Sequence, residues 1–133
     1  PYLKDALLIS KYDYLESLET FREGLFVVQD ISSMLVGELA HVQAGAQVID
    51  LCAAPGGKAL DVAERILMEG QAGCSGHVEA RDLTEYKVSL IEENIERMGL
   101  GNVTAVCQDA SVYDEKSAGK ADIVIADLPC SGL

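Results

Sequence analysis

Positive charge is scarce in this sequence. Its 133 residues include ten lysines and arginines against 22 aspartates and glutamates, which gives a formal net charge of −12 at pH 7. Proteins that hold nucleic acids by themselves usually carry a basic surface, because phosphate neutralisation supplies most of the affinity. The composition therefore argues against this chain holding a nucleic acid unaided. A basic surface for such a partner would have to lie largely elsewhere in a longer protein.

Long apolar runs are also lacking. No run approaches the roughly 20 residues of a membrane span, and the sequence does not open with a secretory signal peptide, so we expect no membrane partner. The chain begins at Pro1 without an initiator methionine and stops soon after an apolar stretch. We therefore expect one domain at most, cut from something longer.

Paired cysteines and clustered histidines are missing as well. The four cysteines form no Cys-x-x-Cys pair, and His41 and His77 stand far apart in the sequence. This pattern predicts neither a zinc site nor a disulfide framework, and it is typical of a reduced cytoplasmic protein. The cysteines are Cys52, Cys74, Cys107 and Cys130.

The stretch from Asp50 to Lys58, Asp-Leu-Cys-Ala-Ala-Pro-Gly-Gly-Lys, organises the rest of the sequence. A short apolar strand precedes it and a helical pattern follows it, so it predicts the first strand–turn–helix unit of an open α/β nucleotide-binding sheet. The glycines permit a sharp turn and close approach of a ligand. The helix begins there with unpaired N–H groups. Its apolar face comprises Ala59, Val62, Ala63, Ile66 and Leu67.

The spacing of this stretch excludes two common phosphate sites. It lacks the three glycines of the dinucleotide fingerprint, and Lys58 is followed by alanine where a P-loop requires Ser or Thr. Two interpretations stay open. The turn serves packing alone, or it binds a cofactor of modest charge that is anchored through its adenosine half. S-adenosylmethionine fits the second description.

Strand and helix patterns alternate through the rest of the chain. One helix runs from the glycine turn to about Met68, and a second follows a Thr84 cap with a stripe that ends at Gly99. This alternation predicts an α/β fold with a parallel sheet and right-handed crossovers, in strand order 3-2-1-4. The strands are predicted at 46–50, 77–82, 103–107 and 121–126, and the last is expected to be buried on both faces.

The first 45 residues have weaker patterns. Residues 6–10 predict a short strand or an apolar anchor, residues 14–21 have near-helical spacing, and residues 25–28 form a brief extended run. Asp30 is a plausible N-cap for a further helix. Its apolar stripe, which we expect to face the core, comprises Ile31, Met34, Leu35, Leu39 and Val42. We divide the chain into a leading segment, 1–45, and a nucleotide-binding part, 46–133.

Carboxylates recur where the predicted strands end, which is the edge where an open α/β sheet binds its ligand. Asp82 can accept both ribose hydroxyls of an adenosine, and Asp109 lies within reach of an adenine amino group. Each alone is also consistent with a helix cap or a turn. The recurrence at Asp50, Asp82, Asp109 and Asp127 favours a site.

Cys130 lies close to the last of these carboxylates, in Asp127-Leu128-Pro129-Cys130-Ser131-Gly132. The proline stiffens the backbone that presents the thiol. A nucleophilic thiolate requires a lowered pKa and partial exposure, whereas many cysteines are simply small buried hydrophobes. Both interpretations stay open on chemistry alone.

Three segments together resemble one family. They are Phe21-Arg22-Glu23-Gly24 with Val28-Gln29-Asp30, the nonapeptide from Asp50 to Lys58, and the segment from Asp127 to Gly132. In order and spacing they are similar to the S-adenosylmethionine-dependent RNA cytosine-5 methyltransferases of the Sun family, which includes the bacterial 16S ribosomal RNA enzyme. The resemblance covers most of the chain from about Phe21 onward.

The resemblance implies a Rossmann-like methyltransferase domain whose substrate is a cytosine in RNA, ribosomal RNA being expected. Asp82 would hold the ribose of S-adenosylmethionine, Asp109 the adenine side, and Asp127 the reacting end of the pocket. A cysteine thiolate would add to carbon 6 of an unstacked cytosine, so that carbon 5 takes the methyl group. The methionine and ribose side would be lined by Cys52, Ala53, Ala54, Pro55, Gly56, Gly57 and Lys58.

The resemblance also implies that parts are missing. The family's usual nucleophile is a second cysteine, in a Thr-Cys-Ser segment that would lie beyond Leu133, and Cys130 matches the cysteine associated with product release. The last strands of the sheet would be missing too, so we expect no turnover by this chain alone. Its fourth strand would be an open edge, through which the chain could self-associate.

Two other functions compete with this one. The acidic charge favours a methyltransferase that acts on a small molecule or a protein. A non-catalytic cofactor-binding module is the second alternative.

Overall fold

Four short parallel strands form the centre of the fold, in a computed structural model that describes residues 3, 6–11, 13–70 and 76–129. The sheet order is β3-β2-β1-β4, which confirms the predicted 3-2-1-4 arrangement. At the ligand edge, Asp50 is aligned with Ala80 of β2 and Ile125 of β4. The strands are β1 (Gln47–Asp50), β2 (His77–Asp82), β3 (Val103–Cys107) and β4 (Ile123–Ile125).

Two long helices make the crossovers between the first three strands. They are α3 (Gly57–Glu69) and α4 (Glu85–Met98), preceded in the chain by α1 (Glu19–Arg22) and α2 (Ile31–Leu39). The Thr84 hydroxyl accepts a hydrogen bond from the Lys87 N–H, and Gly99 ends α4 in the left-handed region with φ of 66°. Both are the predicted caps. None of the helices among the described residues combines the length and apolarity needed to cross a bilayer.

The core lies between α3, α4 and the sheet. The predicted stripe of α3 is buried except at its last member, since Leu67 is half exposed. Val88 and Ile91 of α4 are buried, and Ile95 and Met98 pack against the same core. The buried positions of α3 are Ala59, Leu60, Val62, Ala63 and Ile66.

The predicted core stripe of α2 is wrong. Ile31 is 60% exposed and Leu39 is 70% exposed, whereas the buried residues of this helix are Ser33 and Gly37. Small residues allow a closer approach to α3, since a Cβ at position 37 would lie 1.8 Å from Asp61 Oδ2. Close packing of small residues thus turns the larger apolar side chains outward. Met34 and Leu35 are not buried either, and Val42 reaches the core from beyond the end of the helix.

Three other expectations also differ from the structure. Residues 6–10 form no strand, and the helix expected over 14–21 is reduced to one 3-10 turn, Leu15–Ser17, and the single turn of α1. The fourth strand spans only 123–125 and is not buried on both faces, because Val124 is 55% exposed. Within the described residues β4 is an edge strand, so its outer hydrogen-bonding edge is unpaired there.

The leading segment is fastened to the end of α4 by Arg97. Its guanidinium donates hydrogen bonds to the carbonyl oxygens of Phe21 and Phe26, at 2.9 and 3.2 Å, and lies 4.2 Å from the centroid of the Phe21 ring. Gly24 makes the close approach possible, since its φ is +73° and a Cβ there would lie 2.0 Å from the Arg97 carbonyl oxygen. The division at residues 45 and 46 stays a prediction.

Replacing Gly24 with alanine should therefore destabilise the chain more than replacing Gly99. Both positions have a positive φ, but a Cβ at Gly99 meets nothing within 4 Å. Gly99→Ala should lower the free energy of unfolding by about 1–2 kcal/mol, through backbone strain alone. Gly24→Ala should lower it by about 2–5 kcal/mol, because the clash with the Arg97 carbonyl adds to the strain. Urea unfolding followed by circular dichroism measures both. Equal losses would mean that the segment does not contact Arg97 as closely as described.

Candidate functional site

The turn after β1 is held in place by hydrogen bonds to both neighbouring strands. The Leu51 N–H donates to the Ile125 carbonyl of β4 at 3.0 Å, and the Ala53 N–H donates to the Arg81 carbonyl of β2 at 2.8 Å. Gly56 then precedes α3 as its N-cap residue with φ of 115°, which a residue with a Cβ rarely adopts. The Ala54–Pro55 peptide bond is cis. The two strand hydrogen bonds and the conformation of Gly56 together aim the first turn of α3 at the ligand edge of the sheet.

Asp82 fastens the same turn from the end of β2. Its carboxylate accepts the N–H groups of Ala54 at 3.1 Å and Leu83 at 2.8 Å, and Lys87 Nζ lies 3.1 Å away. Burial would raise the pKa of this 2%-exposed carboxyl, but the hydrogen bonds from Leu83, Lys87 and Ala54 together hold its pKa below the ordinary value. Asp82 is therefore ionised at neutral pH.

Asp50 has a different environment at the end of β1. It is 1% exposed, and its Oδ1 accepts only a long hydrogen bond, 3.4 Å, from the Cys52 N–H. Burial raises the pKa of Asp50 to about 6, opposed by that N–H and by the charge of Lys58. Its other oxygen, Oδ2, has no hydrogen-bond partner among the described residues. The Asp50 carboxylate is thus buried with one long hydrogen bond and with no ion pair among the described residues.

Lys58 and Asp127 form an ion pair across the open side of the site. Lys58 Nζ lies 2.7 Å from Asp127 Oδ2, and the Asp127 side chain is largely exposed whereas that of Lys58 is mostly covered. The pair joins the first turn of α3 to the segment after β4.

These elements surround one cavity of about 660 Å³. Of the residues predicted to bind a cofactor, eight line it and two do not. Gly56 is buried in the turn, and Asp109 is exposed after β3, where its carboxylate accepts hydrogen bonds from the N–H and hydroxyl of Ser111. Those that line it are Cys52, Ala53, Ala54, Pro55, Gly57, Lys58, Asp82 and Asp127.

Cys52 is the thiol inside this cavity. Burial raises its pKa, and the negative charges of Asp82 and Asp50 raise it further. The thiol is therefore protonated at neutral pH and is a poor nucleophile. Cys130, predicted from the sequence as a catalytic residue, lies outside the described residues.

Sequence reasoning missed several lining residues. The sequence predicts Asp50 as a strand-end carboxylate but does not assign it to the cofactor. It predicts Asp30 only as a helix N-cap, a role that the structure confirms, and Gln29 only as part of a resembling segment. Lys87 carries no sequence signal beyond its place in the first turn after Thr84. The leading segment and α2 contribute Val28, Gln29, Asp30 and Ser33 to the cavity.

A side-chain relay connects the leading segment to the turn. Asn94 Nδ2 donates to the Pro55 carbonyl at 3.1 Å, and Asn94 Oδ1 accepts from Arg97, the residue that fastens Phe21 and Phe26. The leading segment and the turn are thereby joined through two side chains of α4.

The cavity suits a ligand with hydroxyl, ammonium and carboxylate groups. It offers ionised carboxylates as acceptors, and the unpaired N–H groups of the first turn of α3 as donors. Buried Asp50 Oδ2, which has no partner within the described ranges, matches a ligand donor. Nowhere in the described part of the chain do three His, Cys, Asp or Glu side chains gather as a metal site.

The family model described as 16S rRNA methyltransferase RsmB/F matches residues 38–133. Two relatives have related names. The probable ribosomal RNA small subunit methyltransferase B of Bacillus subtilis is 39% identical over 114 residues, covering 85% of this chain and 24% of its own. The tRNA (cytosine(72)-C(5))-methyltransferase of Pyrococcus horikoshii is 33% identical over 123 residues, covering 92% of this chain and 30% of its own.

A solved structure agrees with these sequence matches. NSun6 from Pyrococcus horikoshii, determined with the S-adenosylmethionine analogue SFG, superposes with a TM-score of 0.74 at 30% identity, covering 90% of this chain and 29% of that one. The chain thus spans less than a third of the length of each of these three proteins.

The environment of Asp50 predicts an unusual pH dependence of stability. Its pKa is about 6 when folded and near 3.8 when unfolded, so the ionised carboxylate disfavours folding above pH 6 and has no such effect below pH 4. Asp50→Asn should therefore raise the free energy of unfolding at pH 7.5, by at most about 3 kcal/mol, and change it little at pH 4. Urea unfolding of both proteins at the two pH values measures the difference.

Asp109→Asn serves as a control, because it should change the free energy of unfolding at pH 7.5 in the opposite direction. Hydrogen bonds from Ser111 lower the pKa of Asp109, so this carboxylate contributes stability above its unfolded pKa and loses it in acid. The Asn variant should be less stable than the parent at pH 7.5 and equal to it in acid. A pH-independent effect of Asp50→Asn would contradict the assignment.

Proposed function

The chain belongs to the 16S rRNA methyltransferase RsmB/F family, and from that premise we propose that it is part of an enzyme that methylates carbon 5 of a cytosine in RNA. S-adenosylmethionine is proposed as the methyl donor. The observation that carries the proposal is the cavity itself, where the glycine turn, two strand-end carboxylates and the start of α3 converge. The names of the relatives, one a ribosomal RNA enzyme and one a transfer RNA enzyme, support RNA as the substrate. Among RNAs, we propose ribosomal RNA as the substrate.

The cofactor would occupy the cavity with its adenosine near β2. Asp82 is ionised and borders the cavity, so its carboxylate can accept ribose hydroxyls in addition to the N–H groups it already holds. Cys52 through Lys58 would line the methionine and ribose side, with Gly56 shaping the turn from beneath. Asp109 would have to approach the adenine from outside the cavity as it stands, and its assignment stays a prediction.

The reacting end would lie near the Lys58–Asp127 ion pair. S-adenosylmethionine would supply an electrophilic methyl group there. In the proposed reaction a cysteine thiolate bonds to carbon 6 of the cytosine, carbon 5 takes the methyl group and then loses its proton, and the carbon–sulfur bond breaks to release the base. Asp127 would contact the target base. Cys130 is proposed to assist release, with the attacking cysteine located beyond residue 133.

The net charge of −12 supports the proposal that this chain binds the cofactor while other parts of the intact enzyme bind the RNA. Because phosphate contacts need basic side chains, RNA would be held largely by other parts of the protein. A cytoplasmic location and self-association through β4 stay predictions.

Binding of S-adenosylhomocysteine tests the placement of the cofactor. Asp82→Asn removes a charge that borders the cavity and should weaken binding by about 1–3 kcal/mol, the range for a hydrogen bond to a charged group. Isothermal titration calorimetry measures the affinity. Asp61→Asn is the matched control, because Asp61 is also partly buried and paired, with Arg65, but lies on α3 away from the cavity. An unchanged affinity of Asp82→Asn for S-adenosylhomocysteine would contradict the placement of the ribose at Asp82.

The role of Cys130 is tested in an intact enzyme that contains this chain. Cys130→Ala should still form the covalent link between protein and RNA but release it slowly, so the linked species accumulates. A denaturing gel of enzyme incubated with S-adenosylmethionine and substrate RNA reveals it as a shifted band. Replacing the downstream cysteine should abolish the band. Complete loss of the band in Cys130→Ala, with S-adenosylhomocysteine still bound, would instead identify Cys130 as the nucleophile.

A further inference from the structure

Two parts of the cavity wall come from segments that are separate in the sequence. Val28, Gln29 and Asp30 belong to the leading segment, and residues 52–55 belong to the turn after β1. The two parts meet at the start of α3, where a Cβ on Gly57 would lie 3.7 Å from the Gln29 side chain. A ligand that fills the cavity would contact both parts, so its fit depends on their relative position.

Both parts are tied to one turn of α4. Arg97 Nη1 donates hydrogen bonds to the carbonyl oxygens of Phe21 and Phe26 in the leading segment, at 2.9 and 3.2 Å. Asn94 Nδ2 donates to the carbonyl oxygen of Pro55 in the turn, at 3.1 Å. Arg97 Nη2 donates to Asn94 Oδ1 at 2.9 Å, so these two side chains, three residues apart on one face of the helix, form a single link.

The hydrogen bonds that Arg97 makes among the described residues are all to neutral oxygen atoms. Within those residues no carboxylate lies at ion-pair distance from its guanidinium, and burial lowers the pKa of Arg97. A partly buried cation is costly unless its donors are satisfied, and its planar fork suits it to hold several acceptors in fixed relative positions. Neither Asn94 nor Arg97 lines the cavity. They can therefore act on a ligand only through the segments that they hold.

We propose that Asn94 and Arg97 are positioning residues that set the leading segment and the turn at the separation that the cofactor requires. Arg97 positions the leading segment, and Asn94 positions the turn and connects it to Arg97. The inference rests on the proposed function, which it deepens by extending the cofactor site to residues outside the cavity. Loss of either side chain should weaken cofactor binding, and the two losses should not be independent.

A double-mutant cycle in cofactor affinity tests this link. Asn94→Ala removes the contacts with Pro55 and Arg97, and Arg97→Met keeps an apolar stem but removes every donor. Each should weaken the binding of S-adenosylhomocysteine by the chain about 3- to 30-fold, the range for residues that act through a network of contacts. Isothermal titration calorimetry measures the affinities. Because either change breaks the same link, the double variant should bind about as weakly as the weaker single variant.

Asn94→Asp separates positioning from general stability. A carboxylate at this position still accepts from Arg97, now as an ion pair, but it cannot donate to the Pro55 carbonyl oxygen and repels it. At pH 7.5 this variant should be more stable than Asn94→Ala in urea unfolding, yet it should bind S-adenosylhomocysteine no more tightly. With a purely structural role for Asn94, affinity and stability would change together.

Two variants serve as controls. Asn102→Ala removes a similar hydrogen bond, since Asn102 Nδ2 donates to the Ala63 carbonyl at 2.9 Å, away from the cavity. Arg22→Met removes a hydrogen bond within the leading segment, from Arg22 to the Glu16 carbonyl at 2.9 Å. Both should bind as the parent does. If Arg97→Met does not fold, Arg97→Lys replaces it in the cycle, because a lysine cannot hold all of these oxygen atoms in one fixed fork.

Each outcome has a distinct meaning. Losses that multiply in the double variant would show two independent contacts and overturn the shared link, and parental affinity in Asn94→Asp would overturn its connection to the turn. Unchanged affinity in Asn94→Ala and Arg97→Met, or equal losses in the controls, would overturn the inference while leaving the proposed cofactor in place. Failure of the parent to bind S-adenosylhomocysteine would reject the proposed function along with the inference.

Discussion

A single buried carboxylate joins the first two strands at the edge where the ligand binds, and the geometry of the site depends on it. Asp82 accepts the Ala54 and Leu83 N–H groups and pairs with Lys87, so β2, the turn after β1 and the start of α4 share one anchor. Without that acceptor the turn would lose a contact that orients α3 and would leave buried donors unpaired, at about 1–3 kcal/mol each. Asp82 therefore combines this structural role with its proposed role in ligand binding.

Asp50 occupies the equivalent place on the neighbouring strand with the opposite energetics. The hydrogen bonds of Asp82 more than offset the cost of its burial, whereas those of Asp50 do not, and burial raises its pKa to about 6. A carboxylate kept at a ligand edge without sufficient partners lowers the stability of the free protein. A cation that binds beside the Asp50 carboxylate relieves this cost, and the relief adds to the free energy of binding. Perturbed carboxylates in clefts are typical of functional sites for this reason.

The sequence allowed the sheet order to be predicted because strands and helices alternate and their crossovers are right-handed. The two long helices and their caps were predictable because they depend on local periodicity and on single capping residues such as Thr84. It failed where packing between elements decides. The burial of Ser33 and Gly37 in place of Ile31 and Leu39 follows from the close contact of α2 with α3, which no periodicity within α2 reveals. Gln29 was missed as a lining residue for the same reason, since its place is set by Arg97, 68 positions later in the chain.

The charges around the cavity decide between ligand classes that the glycine turn alone leaves open. A turn leading into a helix N-terminus suits a phosphate as well as a zwitterion. Here, however, the cavity wall contains two lysines, both already paired with aspartates, and four aspartates. Asp30 is among them, and hydrogen bonds from Ser32 and Ser33 hold its pKa well below the ordinary value, so it is ionised. A di- or triphosphate would meet this excess of negative charge, whereas a ligand with a sulfonium and an ammonium group would be attracted by it. The strand-end aspartates thus exclude nucleotide phosphates from a turn that could otherwise accept them.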